Sequence, residues 1–109
     1  MAKKTTLKVK KAVREYVAAL KKEIPVERVV LFGSRAKNSA GRESDIDLAI
    51  VSSVFGKNPQ ADGKYLIRKL WEVKYSRIDP IGYSPRDFRA ALPSPLLCEI
   101  RKHGREIKV

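Results

Sequence analysis

The segment Asp45-Ile46-Asp47-Leu48-Ala49-Ile50-Val51 constrains this chain more than any other. Its apolar, largely β-branched residues favour an extended strand over 46–51. Side chains alternate along a strand, so Asp45 and Asp47 point to one face while Ile46, Leu48 and Ile50 point to the other. One face can be buried, but the other carries two like charges side by side, and something must neutralise them. A divalent cation does so economically, because Mg²⁺ is commonly held by one or two carboxylates together with phosphates and water. Taken alone, Asp-x-Asp is a weak signal.

The surrounding pattern is that of a single domain over residues 1–109. Val9, Val13, Tyr16, Val17, Leu20 and Ile24 recur at three- and four-residue steps and predict a helix over 6–23, capped by Thr5 or Thr6 and stopped by Pro25. A short strand over 26–32 ends at Gly33. Residues 34–41 read as a tight turn and a short helix, and 52–63 as a loop rich in Gly, Pro and Asn. Helical spacing resumes over 64–75 through Tyr65, Leu66, Leu70 and Val73, with Ile67 and Trp71 widening the apolar face. Tyr65, Trp71 and Tyr75 are expected in the core or at an interface with another chain. A third strand over 77–83 contains Pro80, which suits an edge position. Ser84-Pro85 then opens a turn of helix. A last helix over 94–103 stops at Gly104, and a tail strand follows over 105–109. The alternation makes this an α/β (α+β) domain with a small mixed sheet packed by helices.

Composition narrows the chemistry. A single cysteine, Cys98, and a single histidine, His103, cannot build a disulfide, a thiolate cluster or a His-rich metal site. Cys98 reads as a small buried hydrophobe among Leu96, Leu97 and Ile100, and His103 as a partner of helix-end carbonyls. Catalysis must therefore run on carboxylates, hydroxyls, backbone amides and cations. The formal net charge is +12, and residues 1–22 hold eight Lys/Arg against Glu15 alone. Such a face can attract nucleic acid, but it lacks aromatic interleaving beyond Tyr16, and lysines also simply keep a helix face solvated. No apolar run approaches the roughly 20 residues needed to span a bilayer. The charged amino-terminal stretch is not an export signal, which points to the cytoplasm.

Gly33-Ser34 lies directly before the predicted short helix. A glycine there permits positive φ and close approach of backbone to a ligand. Free N–H groups and the Ser34 hydroxyl would form a phosphate pocket, with Arg35 and Lys37 adding positive charge. Neither a G-x-G-x-x-G fingerprint nor a Walker A loop is present. A phosphate cradle twelve residues before paired carboxylates supplies both halves of a nucleoside triphosphate–Mg²⁺ site.

Gly33-Ser34-Arg35-Ala36-Lys37-Asn38 followed by Ser44-Asp45-Ile46-Asp47-Leu48 resembles the minimal nucleotidyltransferases of the DNA polymerase β-like superfamily. The leading helix, Ile78-Asp79-Pro80 and the closing Glu99-Ile100 to Gly104-Arg105-Glu106-Ile107 extend the likeness over most of the chain. Asn38 departs from the Gly often found there, and Asn tolerates the same left-handed backbone. The resemblance implies the polymerase β-like fold, with Asp45, Asp47 and Asp79 as metal ligands and catalytic residues for two Mg²⁺ ions. It further implies that Gly33, Ser34 and Arg35 bind the nucleotide. Asp79 either completes that carboxylate set or merely fixes the turn before Pro80.

Similar proteins act as antitoxins that move AMP from ATP onto a tyrosine of a HEPN-domain toxin. The expected activity is therefore Mg²⁺-dependent nucleotidyl transfer to a hydroxyl of such a partner, within a homo- or hetero-oligomer. The alternative is a non-catalytic module that neutralises a partner or binds nucleic acid through the basic first helix. Transfer to an RNA end or a small antibiotic is a weaker expectation, because larger relatives of that kind carry an added acceptor domain.

Overall fold

The computed structural model describes residues 7–33, 45–73 and 77–108. Four helices and four strands alternate in the order α1 (Leu7–Lys21), β1 (Arg28–Phe32), β2 (Ile46–Val51), α2 (Pro59–Val73), β3 (Ile78–Tyr83), α3 (Pro85–Phe88), α4 (Pro95–His103) and β4 (Arg105–Glu106). The strands form one sheet in the order β3-β2-β1-β4. β1 runs antiparallel to both β2 and β4, whereas β2 and β3 are parallel. Parallel neighbours require a crossover connection, and α2 provides it. This is the mixed α/β architecture expected.

Each face of the sheet is covered by helices. Val29, Leu31, Ile46, Leu48, Ile50 and Ile78 pack in one cluster with Val13, Tyr16, Val17 and Leu20 of α1 and Leu66 and Leu70 of α2. On the opposite face Val30, Phe32, Ala49 and Val51 meet Phe88, Leu97 and Ile100. β2 is therefore buried on both sides along most of its length, and Asp47 is its one residue that is not fully buried. α1 and α2 are joined by a buried hydrogen bond in which the Tyr16 hydroxyl donates to the Leu66 carbonyl at 2.6 Å.

Local capping accounts for the helix boundaries. Ser84 and Ser94 accept from Asp87 N and Leu97 N, with Pro85 and Pro95 following as the first helical residues. α2 repeats the device: Asn58 Oδ1 accepts from Ala61 N at 3.1 Å, directly before Pro59. The expected loop over 52–63 accordingly ends at Asn58, and Gly63 sits inside the helix. Asn-Pro was read as loop composition although it is also a helix start. α4 ends at Gly104 as expected, though with an ordinary negative φ of −71. Glycine is required there by space, since a Cβ would fall on the Ile100 carbonyl oxygen and on Val30. Pro80 lies on the edge strand β3, where its missing N–H costs no internal ladder bond.

Three expectations change. Ile67 and Trp71 do not widen the core face, because they are 47% and 81% exposed. Lys69 is buried in their stead, with Nζ 2.9 Å from Glu72 and 3.2 Å from Glu23, which also accepts from the Tyr65 hydroxyl. Cys98 is half-buried, not fully enclosed. The tail strand shortens to Arg105–Glu106, followed by Ile107 N donating to Val29 O. The short helix over 34–41 and Tyr75 lie outside the described residues. No helix among the described residues is long and apolar enough to cross a membrane.

Two predictions follow from the packing. A Cβ added at Gly63 meets nothing within 4 Å. Gly63→Ala is therefore expected to raise stability by about 0.5–1 kcal/mol in chemical denaturation, through its gain in helix propensity. Tyr16→Phe is expected to cost about 1 kcal/mol at neutral pH for the lost buried hydrogen bond. Burial raises the Tyr16 hydroxyl well above its ordinary pKa of 10.0. The folded state thus holds this proton more tightly than the unfolded chain, and stability falls as pH rises past roughly 10. Thermal midpoints across alkaline pH should fall less steeply for Tyr16→Phe than for the wild type.

Candidate functional site at the β1 exit

Three segments converge where β1 ends and β2 and β3 begin. Asp47 of β2 is the Cα partner of Asp79 of β3, in register across the parallel pair. On the other side Asp47 is the partner of Phe32, the last residue of β1. Gly33 follows with φ +73, in the left-handed region that side chains disfavour. A Cβ on Gly33 would land on the Asp47 Oδ2 atom. The backbone turn leaving β1 is therefore pressed against this carboxylate, and only glycine satisfies both the dihedral and the space.

The electrostatics agree with the geometry. Asp47 is half-buried, while Asp45 and Asp79 are exposed. The Asp47 carboxyl is raised above its ordinary pKa, first by burial and then by the negative charges of Asp79 and Asp45. Folding thus gathers three carboxylates, and Asp47 feels the negative charge of the other two. Among the described residues, however, no three His, Cys, Asp or Glu side chains already converge on one metal position. The aspartates are brought to one end of the sheet by strand register without closing into a cage. Ser34, Arg35, Lys37 and Asn38, the remainder of the expected phosphate cradle, lie outside the described residues.

The sequence pattern did not reveal that Gly33 and Asp47 touch. The only available signal was their placement at the end of one apolar strand and the start of the next, as in an antiparallel pair. The family resemblance grouped Asp79 with Asp45 and Asp47, but no local pattern carries their direct register across the parallel pair, since they lie 32 positions apart.

Residues 11–107 match the family model of the nucleotidyltransferase domain. The chain belongs to this family. Among solved structures, a Sulfolobus solfataricus protein assigned as a nucleotidyltransferase is 26% identical, with a TM-score of 0.59 over 72% of this chain and 69% of that one. A toxin–antitoxin structure with AMP-PNP is 24% identical, with a TM-score of 0.60 over 89% of this chain and 70% of that one. A complex of a tri-AMPylated Shewanella oneidensis HEPN toxin with its MNT antitoxin is 22% identical, with a TM-score of 0.56 over 90% and 70% of the two chains. No curated protein matches the chain significantly. The fold of this nucleotidyltransferase domain is thus that of its structural neighbours.

The raised pKa of Asp47 makes this carboxylate a cost to the fold. Because folding raises the Asp47 pKa, the ionised group opposes folding once the pH exceeds the unfolded value of about 4. Asp47→Asn is expected to keep or raise the thermal midpoint at neutral pH, with the difference fading below about pH 4, where the wild-type carboxyl is protonated in both states. Gly33→Ala is expected to destabilise by about 1–3 kcal/mol for its backbone conformation and close contact. Combining it with Asp47→Ala should recover part of that loss, measured as a coupling in a double-mutant cycle.

Proposed function

We propose that this domain catalyses nucleotidyl transfer at the Asp45–Asp47–Asp79 site, moving AMP from ATP onto a hydroxyl, a tyrosine of a HEPN-type toxin partner, and so acts as an antitoxin. The observation that carries this reading is the Asp47–Asp79 register with Gly33 folded against Asp47. The acceptor and nucleotide are suggested by the two structural neighbours, one with AMP-PNP and one with an AMPylated HEPN toxin.

The donor set fits Mg²⁺. Three hard carboxylates gather at one sheet end, burial and then the neighbouring charges raise Asp47, and a partly formed ligand set completed by phosphates is what Mg²⁺ commonly uses. Asp45, Asp47 and Asp79 would hold the metal, which in pairs supplies charge stabilisation to the attacking and departing oxygens of an in-line displacement. Gly33 and Ser34 would hold the β- and γ-phosphates through backbone N–H groups and the Ser34 hydroxyl, with Arg35 adding positive charge. Asp79, exposed at the start of β3, would accept the proton of the attacking hydroxyl on a carboxylate oxygen. The new bond would form between the acceptor's hydroxyl oxygen and the α-phosphorus as the bond to pyrophosphate breaks. A cytoplasmic location belongs to this reading, because its donor is ATP.

Incubation with α-labelled ATP, Mg²⁺ and a HEPN-type partner is expected to label the partner. Asp45→Asn and Asp47→Asn should each lower labelling by at least about 100-fold, as for loss of groups that stabilise transition-state charge, with unchanged circular dichroism. An unlabelled partner that is still neutralised would replace this reading with the non-catalytic binding module. Mg²⁺ with a non-hydrolysable ATP analogue should also raise the thermal midpoint of the wild type but not of Asp47→Asn.

A further inference from the structure

A second cleft lies at the opposite end of β1. It has a volume of about 520 Å³ and is lined by Arg28, Val30, Phe88, Arg89, Ile100, Arg101, Gly104 and Glu106. That volume falls within the ~300–1,000 Å³ usual for small-ligand sites. Val30 is the lining residue nearest along β1 to Phe32, the partner of Asp47, and none of the three aspartates lines the cleft. Nothing proposed for nucleotidyl transfer uses it.

Its charge is unbalanced. Three arginines line it from three parts of the chain: Arg28 in β1, Arg89 just after α3 and Arg101 in α4. Glu106 is the single acidic lining residue, and Arg28 already holds it through Nε at 3.2 Å and Nη2 at 2.8 Å. The lining thus carries three arginines against one glutamate.

Two of the guanidinium groups are also held in place. Arg28 lies over the Phe88 ring at 4.8 Å while paired to Glu106, and Arg101 Nη1 donates to the Ala90 carbonyl at 2.8 Å. Fixed guanidinium groups lose little freedom on binding and present forked donors suited to phosphate. Phe88 is only 4% exposed and packs edge-on against Tyr83. No open ring face is offered to a base, so recognition rests on oxyanions. We propose that the Arg28–Arg89–Arg101 cleft is a phosphate-binding site, taking the phosphate oxyanions of a free polyphosphate or of an RNA backbone.

The test uses the intact chain in EDTA at low ionic strength, which removes metal-dependent nucleotide binding at the aspartates. Tripolyphosphate is titrated by calorimetry and a fluorescein-labelled single-stranded RNA oligonucleotide by anisotropy. Arg89→Glu and Arg101→Glu, both at exposed positions, are expected to weaken binding by about tenfold or more each, the scale of one charged hydrogen bond. Asp47→Asn should bind as the wild type does, and Arg89→Glu should leave labelling of the partner intact. Binding of tripolyphosphate alone assigns the site to free phosphates, and binding of RNA alone to a phosphodiester backbone. Either result, or competition between the two, supports the site when the arginine variants lose it. The proposal is overturned if the wild type binds neither probe, or if both arginine variants bind like the wild type, which would assign binding to the lysines of α1. Circular dichroism of each variant shows whether it remains folded, and a fold defect in one leaves the other as the deciding variant.

Discussion

The parallel pairing of β2 with β3 is the contact on which the rest depends. It is made possible by α2, whose fifteen residues carry the chain back across the sheet so that both strands start at the same end. An antiparallel return would place Asp79 at the far end from Asp47. With the parallel register the two carboxylates become neighbours about 4.8 Å apart in backbone spacing. The same α2 seals the core, through Leu66 and Leu70 and the hydrogen bond it accepts from Tyr16. Folding energy and site geometry thus come from one connection.

The site itself opposes folding. Burial and two neighbouring negative charges raise Asp47, and Gly33 must occupy a backbone region closed to other residues. The stabilising burden falls on the remainder of β2, where Leu48, Ala49, Ile50 and Val51 are almost wholly buried. A sheet covered by helices on both faces can hold one unfavourable cluster at its end, where solvent still reaches the carboxylates. Deeper in the sheet, the same charges would lose hydration with nothing to replace it.

The basic character of the chain divides into distinct parts. The lysines of α1 alternate with a buried apolar stripe and lie mostly on a solvated surface. Lys69, by contrast, is buried between Glu23 and Glu72, and its pKa is raised first by the hydrogen bond to Glu72. The arginines at the far end of β1 gather around a cleft with one carboxylate. Net charge describes none of these separately, because it does not record which charges the fold pairs.

Much of this organisation was legible in the chain alone. The apolar, largely β-branched run marked the 46–51 strand, since exposing Leu48 and Ile50 would cost far more than exposing Asp47. Ser84-Pro85 marked the start of α3, because the cap and the fixed φ act within a few residues. The family likeness also rested on local spacing around Gly33 and Asp47. Asn58-Pro59 was equally local but was masked by the turn-forming residues around it. Only the tertiary structure decided which side of α2 faces inward, exposing Trp71 and enclosing Lys69. It also decided that Asp79 stands beside Asp47, that Gly33 closes on that carboxylate, and that three arginines from separate parts of the chain line one cleft. These are contacts between residues distant in the chain, set by how the helices cover the sheet, and no local pattern encodes them.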